Sequence, residues 1–125
     1  MSIEYREVRF ADVAHLASRA SKERVSISNT RGTTWFAAFD GELIGCGAVL
    51  IQSQKARLKA SWIAPKYRGK GVGMGLLKTR ILYAENNPAI NRLEVFSIRP
   101  RIFLELGFKP FSVVREGVTA LVKLL

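Results

Sequence analysis

The sequence has one cysteine, Cys46, and one histidine, His15. A single cysteine cannot form an internal disulfide, and one histidine without paired cysteines makes no recognisable zinc-binding pattern. We therefore expect no bound metal. Long apolar runs are also missing, and the N-terminal segment MSIEYREVRF lacks the charged-then-apolar pattern of a signal peptide. These absences favour a cytoplasmic protein with no membrane partner.

Acidic residues are scarce relative to basic ones. Lys and Arg number 20 against 10 Asp and Glu, which gives a formal net charge of +10. This excess favours anionic partners, of which nucleic acid is one, and disfavours a polycationic acceptor. The cations are spread from Arg6 to Lys123 without a polybasic block, so a merely basic surface is an equal alternative.

The remaining composition is that of an ordinary folded chain. The 125 residues are 48% hydrophobic and 10% aromatic, which suits one domain over residues 1–125 with its own core. No internal repeat or linker interrupts it. A strand-like C-terminal segment would be an exposed edge or an internal strand, so the chain is compatible with a monomer or a homodimer.

The hydrophobic pattern predicts alternating strands and helices. In chain order these are a strand at 3–10, a helix at 12–24, strands at 33–39, 42–51 and 56–64, a helix from about 72 to 86, a strand at 91–98, a helix at 100–106 and a hairpin within 108–125. Asp12 is expected to cap the first helix. The turns Asp40-Gly41 and Glu116-Gly117 are typical of β-hairpins.

A glycine-rich segment, APKYRGKGVGMGLL at 64–77, joins the third of these central strands to the long helix. A helix N-terminus carries unpaired N–H groups and a partial positive charge, and both attract phosphate oxygens. Glycines at 69, 71 and 73 would let an anion approach these amides closely. The segment therefore predicts an anion site, with a flexible strand-to-helix turn as the alternative.

Two familiar phosphate-binding patterns do not fit this segment. The P-loop fails because the Lys78-Thr79 pair follows Leu77 instead of a glycine. The dinucleotide pattern G-x-G-x-x-G fails because Met74 and Leu76 occupy the positions that require the third glycine. What remains is Arg-x-x-Gly-x-Gly over residues 68–73.

The stretch WIAPKYRGKGVGMGLLKTRI closely resembles the acetyl-CoA binding segment of the GNAT family of N-acetyltransferases, and RIFLELGFKPF is similar to that family's closing segment. The resemblance is strong over 58–111 and extends in element order over 3–57. It implies an α/β fold of the GNAT acyl-CoA N-acyltransferase type. This fold has a central mixed sheet of about six to seven strands, splayed in the middle and flanked by about three helices.

The resemblance also implies a cofactor and its site. Acetyl-CoA would bind with its diphosphate on the backbone amides of Arg68, Gly69, Lys70, Gly71, Val72 and Gly73. The main chain of Trp62 and Ile63 would pair with the pantetheine arm, and the sheet would splay after Ile63. An acceptor amine would then attack the thioester directly.

Two positions depart from the family pattern. Arg99-Pro100 lies in the neighbourhood where members usually place an asparagine. Phe103 stands where many members place a tyrosine that protonates the leaving thiolate, so Ser97 or water would have to assist. For a general base we rank Glu94 ahead of Glu105 and His15.

Two functions remain. The first is an acetyl-CoA-dependent N-acetyltransferase whose amine acceptor is unknown, with nucleic acid or a nucleic-acid-associated molecule as a candidate. The alternative is a catalytically weakened module that binds CoA or nucleic acid. We further expect an open acceptor cleft lined by Arg19, Arg24 and Arg31.

Overall fold

The computed structural model describes residues 2–125, and its centre is one seven-stranded sheet. The strands are β1 (Glu4–Val8), β2 (Thr33–Asp40), β3 (Glu42–Gln52), β4 (Lys55–Ile63), β5 (Arg92–Ser97), β6 (Lys109–Arg115) and β7 (Val118–Leu124). They lie in the order β1-β2-β3-β4-β5-β7-β6. Only the β4–β5 pair is parallel, so the sheet is mixed, and the predicted fold class is confirmed.

Four helices and two 3₁₀ turns connect these strands. The helices are α1 (Phe10–Val13), α2 (Ala17–Ser21), α3 (Val72–Glu85) and α4 (Pro100–Glu105), and the 3₁₀ turns are Ala14–Leu16 and Pro65–Tyr67. The single helix predicted over 12–24 is therefore a broken helix of three short pieces. Among residues 2–125, no helix is long and apolar enough to cross a membrane.

The first helix begins earlier than its sequence suggests. It starts at Phe10, and Asp12 lies in its first turn, where Oδ2 accepts the N–H of Arg9 at 3.0 Å. The prediction that Asp12 precedes the helix as its cap was wrong. Its carboxylate instead reaches back from inside the first turn, as the acidic member of a capping box does.

Each face of the sheet has its own core. On one face, α3 packs against the central strands through buried residues that include Leu76, Leu93 and Leu121. On the other, α1 and α2 cover β2 to β4 through Val13, Leu16, Trp35, Cys46 and Trp62. In α3, Leu77, Ile81 and Ala84 are buried and Met74 is half-buried, and both predicted hairpin turns form. β4 therefore contributes buried residues to both cores, whereas β5 contributes only to the core beneath α3.

A β-bulge in β4 determines where the sheet opens. Gly45 and Cys46 pair with Ile63 and Trp62, but Ala48 pairs with Lys59, so Ala60 and Ser61 together face Gly47 alone. Ala60 takes a positive φ of 57°, which bends the strand. β4 and β5 pair only from Lys55–Arg92 to Leu58–Val95. The prediction that the sheet splays after Ile63 was therefore wrong by several residues, because the bulge turns β4 away earlier.

Candidate active site

The separation of β4 from β5 creates a cleft of about 620 Å³. One wall is residues 58–61 of β4, the opposite wall is residues 95–98 with part of α4, and the first turns of α3 lie between them. Gly69, Gly71 and Gly73 lie at the end where the loop enters α3. The glycine segment and the opened sheet therefore form one continuous site.

The backbone amides of residues 69–74 have no hydrogen-bond acceptor anywhere in the described chain. The next amide along the chain, that of Gly75, does have an acceptor, since it donates to the carbonyl of Gly71 at 3.0 Å. Gly69 and Gly71 adopt left-handed φ values of 74° and 84°, which let the loop turn without a Cβ clash. Six free N–H groups at the start of a 14-residue helix form a favourable site for a phosphate.

The amide of Arg68 is not part of this set. It donates to the carbonyl of Pro65 at 3.2 Å and closes the 3₁₀ turn Pro65–Tyr67. Of the predicted amide set 68–73, the amide of Arg68 is therefore already paired, whereas those of residues 69–73, together with that of Met74, have no acceptor in the described chain. Within this range the side chain of Val72 is buried, and the Nζ of Lys70 lies 5.8 Å from the ring of Tyr67.

The side chain of Arg68 fastens the loop to the strand. Its Nε donates to the carbonyl of Ile63 at 2.9 Å, and its guanidinium donates to Glu23 Oε2 at 2.8 Å. The indole N–H of Trp62 donates to the same carboxylate oxygen at 2.8 Å. Glu23 therefore ties α2's end, β4 and the glycine loop together. The Ile63 carbonyl therefore already accepts one donor, and a pantetheine amide would have to share it with Arg68.

The Glu23 cluster predicts a pH-dependent stability. Hydrogen bonds from Arg68, and then from Trp62, hold the pKa of the Glu23 carboxyl below its ordinary value of 4.5. A lowered folded-state pKa stabilises the protein above the unfolded pKa, and this contribution disappears as pH falls through the folded pKa. Urea unfolding should show Glu23→Gln to be less stable than wild type by a constant amount above about pH 5, with the difference shrinking below pH 4.5. A difference that is unchanged or grows at pH 3 would contradict this assignment.

Ser97 and Phe103 both line the cleft, as their predicted roles require. Ser97 Oγ accepts the N–H of Arg99 at 2.9 Å, which leaves its own hydroxyl proton to be donated into the cleft. The ring of Phe103 packs edge-on against Phe108 with centroids 5.4 Å apart. Phe103 has no acidic proton to donate, and the hydroxyl residues among the described cleft lining are Ser61 and Ser97.

The structure does not bring Glu94 to the cleft. Its carboxylate is 2.8 Å from Arg92 Nε and 4.0 Å from Lys55 Nζ, and its main chain pairs with Arg57 in the closed part of the sheet. His15 and Glu105 also lie elsewhere on the exposed surface. Among the described residues that line the cleft, none is Asp, Glu or His. No side chain there is placed to act as a carboxylate or imidazole base.

None of the three arginines predicted to line an acceptor cleft lines the cleft between β4 and β5. Arg19 lies over the indole of Trp62, with 4.8 Å from its guanidinium carbon to the ring centroid. Arg24 and Arg31 do not line the cleft between β4 and β5. Among residues 2–125, no three His, Cys, Asp or Glu side chains are grouped to hold a metal ion.

Sequence reasoning missed two residues of this site. Glu23 could not be found because its partners lie 39 and 45 positions away. Arg80 is buried and lines the cleft. A signal for it existed, since Arg80 follows Leu76 by four positions and Leu77 by three, and so lies on the buried stripe of α3.

Known structures share this architecture at low sequence identity. NAA60 of Arabidopsis thaliana, in a complex with acetyl-CoA, superposes with a TM-score of 0.81 at 14% identity, over 99% of this chain and 99% of that one. An IAA acetyltransferase from Bacillus cereus gives 0.75 at 17% identity, over 99% and 100%. N-acetylglutamate synthase from Neisseria gonorrhoeae, complexed with coenzyme A and N-acetyl-glutamate, gives 0.75 at 20%, over 100% of this chain but 35% of that one.

Family membership rests on the sequence itself. A search among curated proteins gives no match. The model of the Acetyltransferase (GNAT) family, however, matches residues 3–108, which include the whole cleft and the glycine loop. Acetyl-CoA is the cofactor of that family. The chain therefore belongs to the GNAT family of acetyltransferases.

Proposed function

We propose that the protein transfers the acetyl group of acetyl-CoA directly to an amine. The observation that carries this proposal is the row of unpartnered amides at residues 69–74, placed at the mouth of a cleft between splayed strands. These amides match the acceptor oxygens of a diphosphate, and the cleft offers an elongated space for the rest of the molecule. The residues present therefore fit acetyl-CoA.

Three parts of the chain would hold the cofactor. The amides of residues 69–74 would bind the diphosphate, and Lys66 and Lys70 would add charge beside it. The backbone of residues 59–61 lines the cleft where β4 has lost its pairing with β5, so it is better placed for the pantetheine arm than Trp62 and Ile63 are. Acetyl-CoA supplies an acetyl group activated as a thioester.

The amine must arrive largely deprotonated. With no carboxylate or imidazole among the described cleft residues, the chain offers no obvious side chain to remove its proton. The amine would lose that proton to solvent, and the rate should follow the free-base fraction of the acceptor. On the leaving side, the hydroxyl of Ser97 would donate to the departing sulfur.

Phe103→Tyr should make the enzyme faster. The ring already lines the cleft, so the added hydroxyl would place a proton donor where the family resemblance implies one. We expect kcat to rise roughly tenfold. This is a small gain for an added general acid, because a thiolate is already a good leaving group. Release of free CoA thiol, followed with a thiol-reactive dye, measures this.

The matched control for that substitution is Phe39→Tyr. Phe39 is an aromatic residue of β2 that lies outside both the cleft lining and the acceptor surface proposed below, so the same atom added there should leave kcat unchanged. An unchanged or lower kcat for Phe103→Tyr, with the KM for acetyl-CoA unaltered, would show that proton donation at this position does not limit the reaction.

For the acceptor, we propose a nucleic acid or a molecule bound to one. The support is a surface that we call the basic-aromatic face. It lies on the same side of the sheet as α1 and α2, but beyond β4, where these helices do not cover the strands. Its residues are Lys55, Arg57, Arg92, Phe96 and Phe111. Phe96 and Phe111 are 42% and 49% exposed. Their rings lie under guanidinium groups, 4.4 Å from Arg57 and 5.5 Å from Arg92.

This basic-aromatic face carries three cations, against the single carboxylate of Glu94. The Nε of Arg57 has no hydrogen-bond partner in residues 2–125. Stacked guanidinium and aromatic groups are suited to unstacked bases and their phosphates. Phe96 also lines the cleft, so a nucleic-acid strand bound on this face could bring one of its amines to the thioester of acetyl-CoA.

The proposed function is tested by binding and then by transfer. Acetyl-CoA and CoA should raise the melting temperature of the protein, whereas ATP at the same concentration should raise it less. Nucleic acids, proteins and small amines are then incubated with acetyl-CoA, and mass spectrometry detects a gain of one acetyl group. Stabilisation without any transfer would favour the alternative, a module that binds CoA without catalysing. No stabilisation by either CoA compound would overturn the proposal.

A further inference from the structure

A buried cation lies beside the cleft and is not explained by the proposed function. The side chain of Arg80, on α3, is 3% exposed and lines the cleft. Its Nε donates to the carbonyl of Leu76 at 3.3 Å, and one terminal nitrogen donates to the carbonyls of Ala48 and Lys59 at 3.2 and 3.4 Å. The other terminal nitrogen donates to Ser61 Oγ at 3.4 Å. The carbonyls of Ala48 and Lys59 belong to the strand pair that borders the β4 bulge, and Ser61 lies in the bulge itself.

Within residues 2–125, no anionic side chain pairs with this charge. All partners of Arg80 are neutral, and among the described cleft residues the other charged groups are the cations Lys59 and Arg99. The nearby thiol of Cys46 stays protonated, since burial raises its pKa to about 12. Burial lowers the pKa of Arg80 to about 10, so the guanidinium remains charged at neutral pH. A buried charge without a counter-ion is costly, and proteins keep one where a ligand supplies the opposite charge.

One N–H of Arg80 remains available. A guanidinium has five N–H donors, and the contacts within residues 2–125 use four of them. The unused donor is on the nitrogen that faces Ser61, another residue of the cleft wall. The guanidinium, over which the charge is delocalised, therefore keeps one N–H free on a nitrogen next to the cleft wall.

Gly47 makes room for this arrangement. A methyl group at Gly47 would lie 2.7 Å from the guanidinium carbon of Arg80, closer than real contacts allow. The glycine opposite the bulge thus lets the guanidinium lie flat against the backbone of β3. Arg80 follows Gly73 by seven positions, or about 10 Å along the helix. Its guanidinium is held beside residues 59 and 61 of the β4 wall, where the sulfur end of a pantetheine arm bound along that strand would lie.

We propose that the guanidinium of Arg80 stabilises the negative charge on the sulfur of CoA. This inference rests on the proposed function, since it concerns the sulfur of the same cofactor. In the transfer, the amine nitrogen forms a bond to the acetyl carbon, the carbon–sulfur bond breaks, and the electron pair stays on sulfur. The amine proton leaves to solvent. Arg80 keeps its proton throughout and lowers the energy of the thiolate through its positive charge. Phe103 cannot assist the thiolate, because its ring has no proton to donate.

The test measures binding instead of turnover, with CoA and desulfo-CoA, which lacks the thiol, as probes. A thiol has an ordinary pKa near 8.5, and a neighbouring cation should lower that of bound CoA by about one unit. Calorimetry should then show that the affinity for CoA relative to desulfo-CoA rises about tenfold between pH 6 and pH 9, because one pKa unit corresponds to a tenfold ratio. In Arg80→Gln this rise should be lost while desulfo-CoA still binds.

Two further variants make the outcome specific. Arg80→Lys keeps a cation at the site and should retain most of the pH-dependent rise. Arg99→Gln removes another cation of the cleft and should leave the rise intact. The inference is overturned if Arg80→Gln keeps the wild-type rise, or if Arg99→Gln alone abolishes it. Failure of both CoA and desulfo-CoA to bind the wild type would instead count against the proposed function itself.

Discussion

Replacing Gly71 by glutamate should abolish acetyl-CoA binding. Gly71 is the residue at which the loop enters α3, and it lies among the free amides. A carboxylate there would repel the diphosphate and compete for the N–H groups that bind it. We expect affinity to fall by at least about 100-fold, or about 2.8 kcal/mol. Calorimetric titration with acetyl-CoA measures the loss, and acetyl transfer should fall with it.

The control for this variant is Gly117→Glu in the β6–β7 turn. Gly71 and Gly117 have φ values of 84° and 76°, and a Cβ at either position would meet no atom within 4 Å. Both variants therefore carry the same added charge and a similar left-handed strain, on the order of 1–2 kcal/mol. Both should unfold at a similar, lower temperature, but Gly117→Glu should bind acetyl-CoA like wild type. Equal binding by the two variants would remove the glycine loop from the cofactor site.

Reversing two charges on the basic-aromatic face should weaken nucleic-acid binding. Arg57 and Arg92 lie over Phe96 and Phe111, so Arg57→Glu combined with Arg92→Glu removes both guanidinium groups. We expect affinity for single-stranded oligonucleotides to fall roughly 30-fold at low salt. The slope of log affinity against log salt concentration should also become shallower, by the amount expected for about two phosphate contacts. Fluorescence anisotropy over a salt series, with labelled DNA and RNA strands, gives both quantities.

A matched double variant controls for net charge. Arg6 lies over Phe39 at 4.1 Å on the distant strand β1, and Arg101 lies on α4, where it pairs with Glu105. Arg6→Glu combined with Arg101→Glu changes the net charge by the same amount, and affinity should fall far less. Equal losses in the two double variants would mean that only overall charge attracts the nucleic acid. No measurable binding by wild type would redirect the acceptor search to small amines.

Much of the fold could be predicted from local patterns. Alternation of apolar and polar residues located the strands, and Gly at the turns located both hairpins, since these signals depend only on neighbours in the chain. The glycine loop at the start of α3 was found because a helix N-terminus and its glycines are adjacent in sequence. The first helix was less predictable. Its three short pieces are arranged by packing on β2, which the pattern of residues 12–24 does not contain.

The parts that sequence could not supply depend on distant contacts. The bulge at Ala60 and Ser61 exists because of register with Gly47 on another strand, and this register decides where the sheet opens. The same is true of Glu23, whose role comes from a loop far along the chain. For Glu94, the prediction of local structure was right but the prediction of a place in the cleft was not. Its strand was identified correctly, but pairing with Arg92 and Lys55 places its carboxylate away from the cleft.

The most direct test of the account is to observe the amides themselves. In a ¹⁵N-labelled protein titrated with acetyl-CoA, the largest amide shifts should occur at residues 69–74, whose N–H groups have no acceptor within residues 2–125. The amide of Arg68, which already donates to Pro65, should shift less. Saturable binding that leaves the amides of 69–74 unchanged would contradict the central claim that this loop holds the diphosphate.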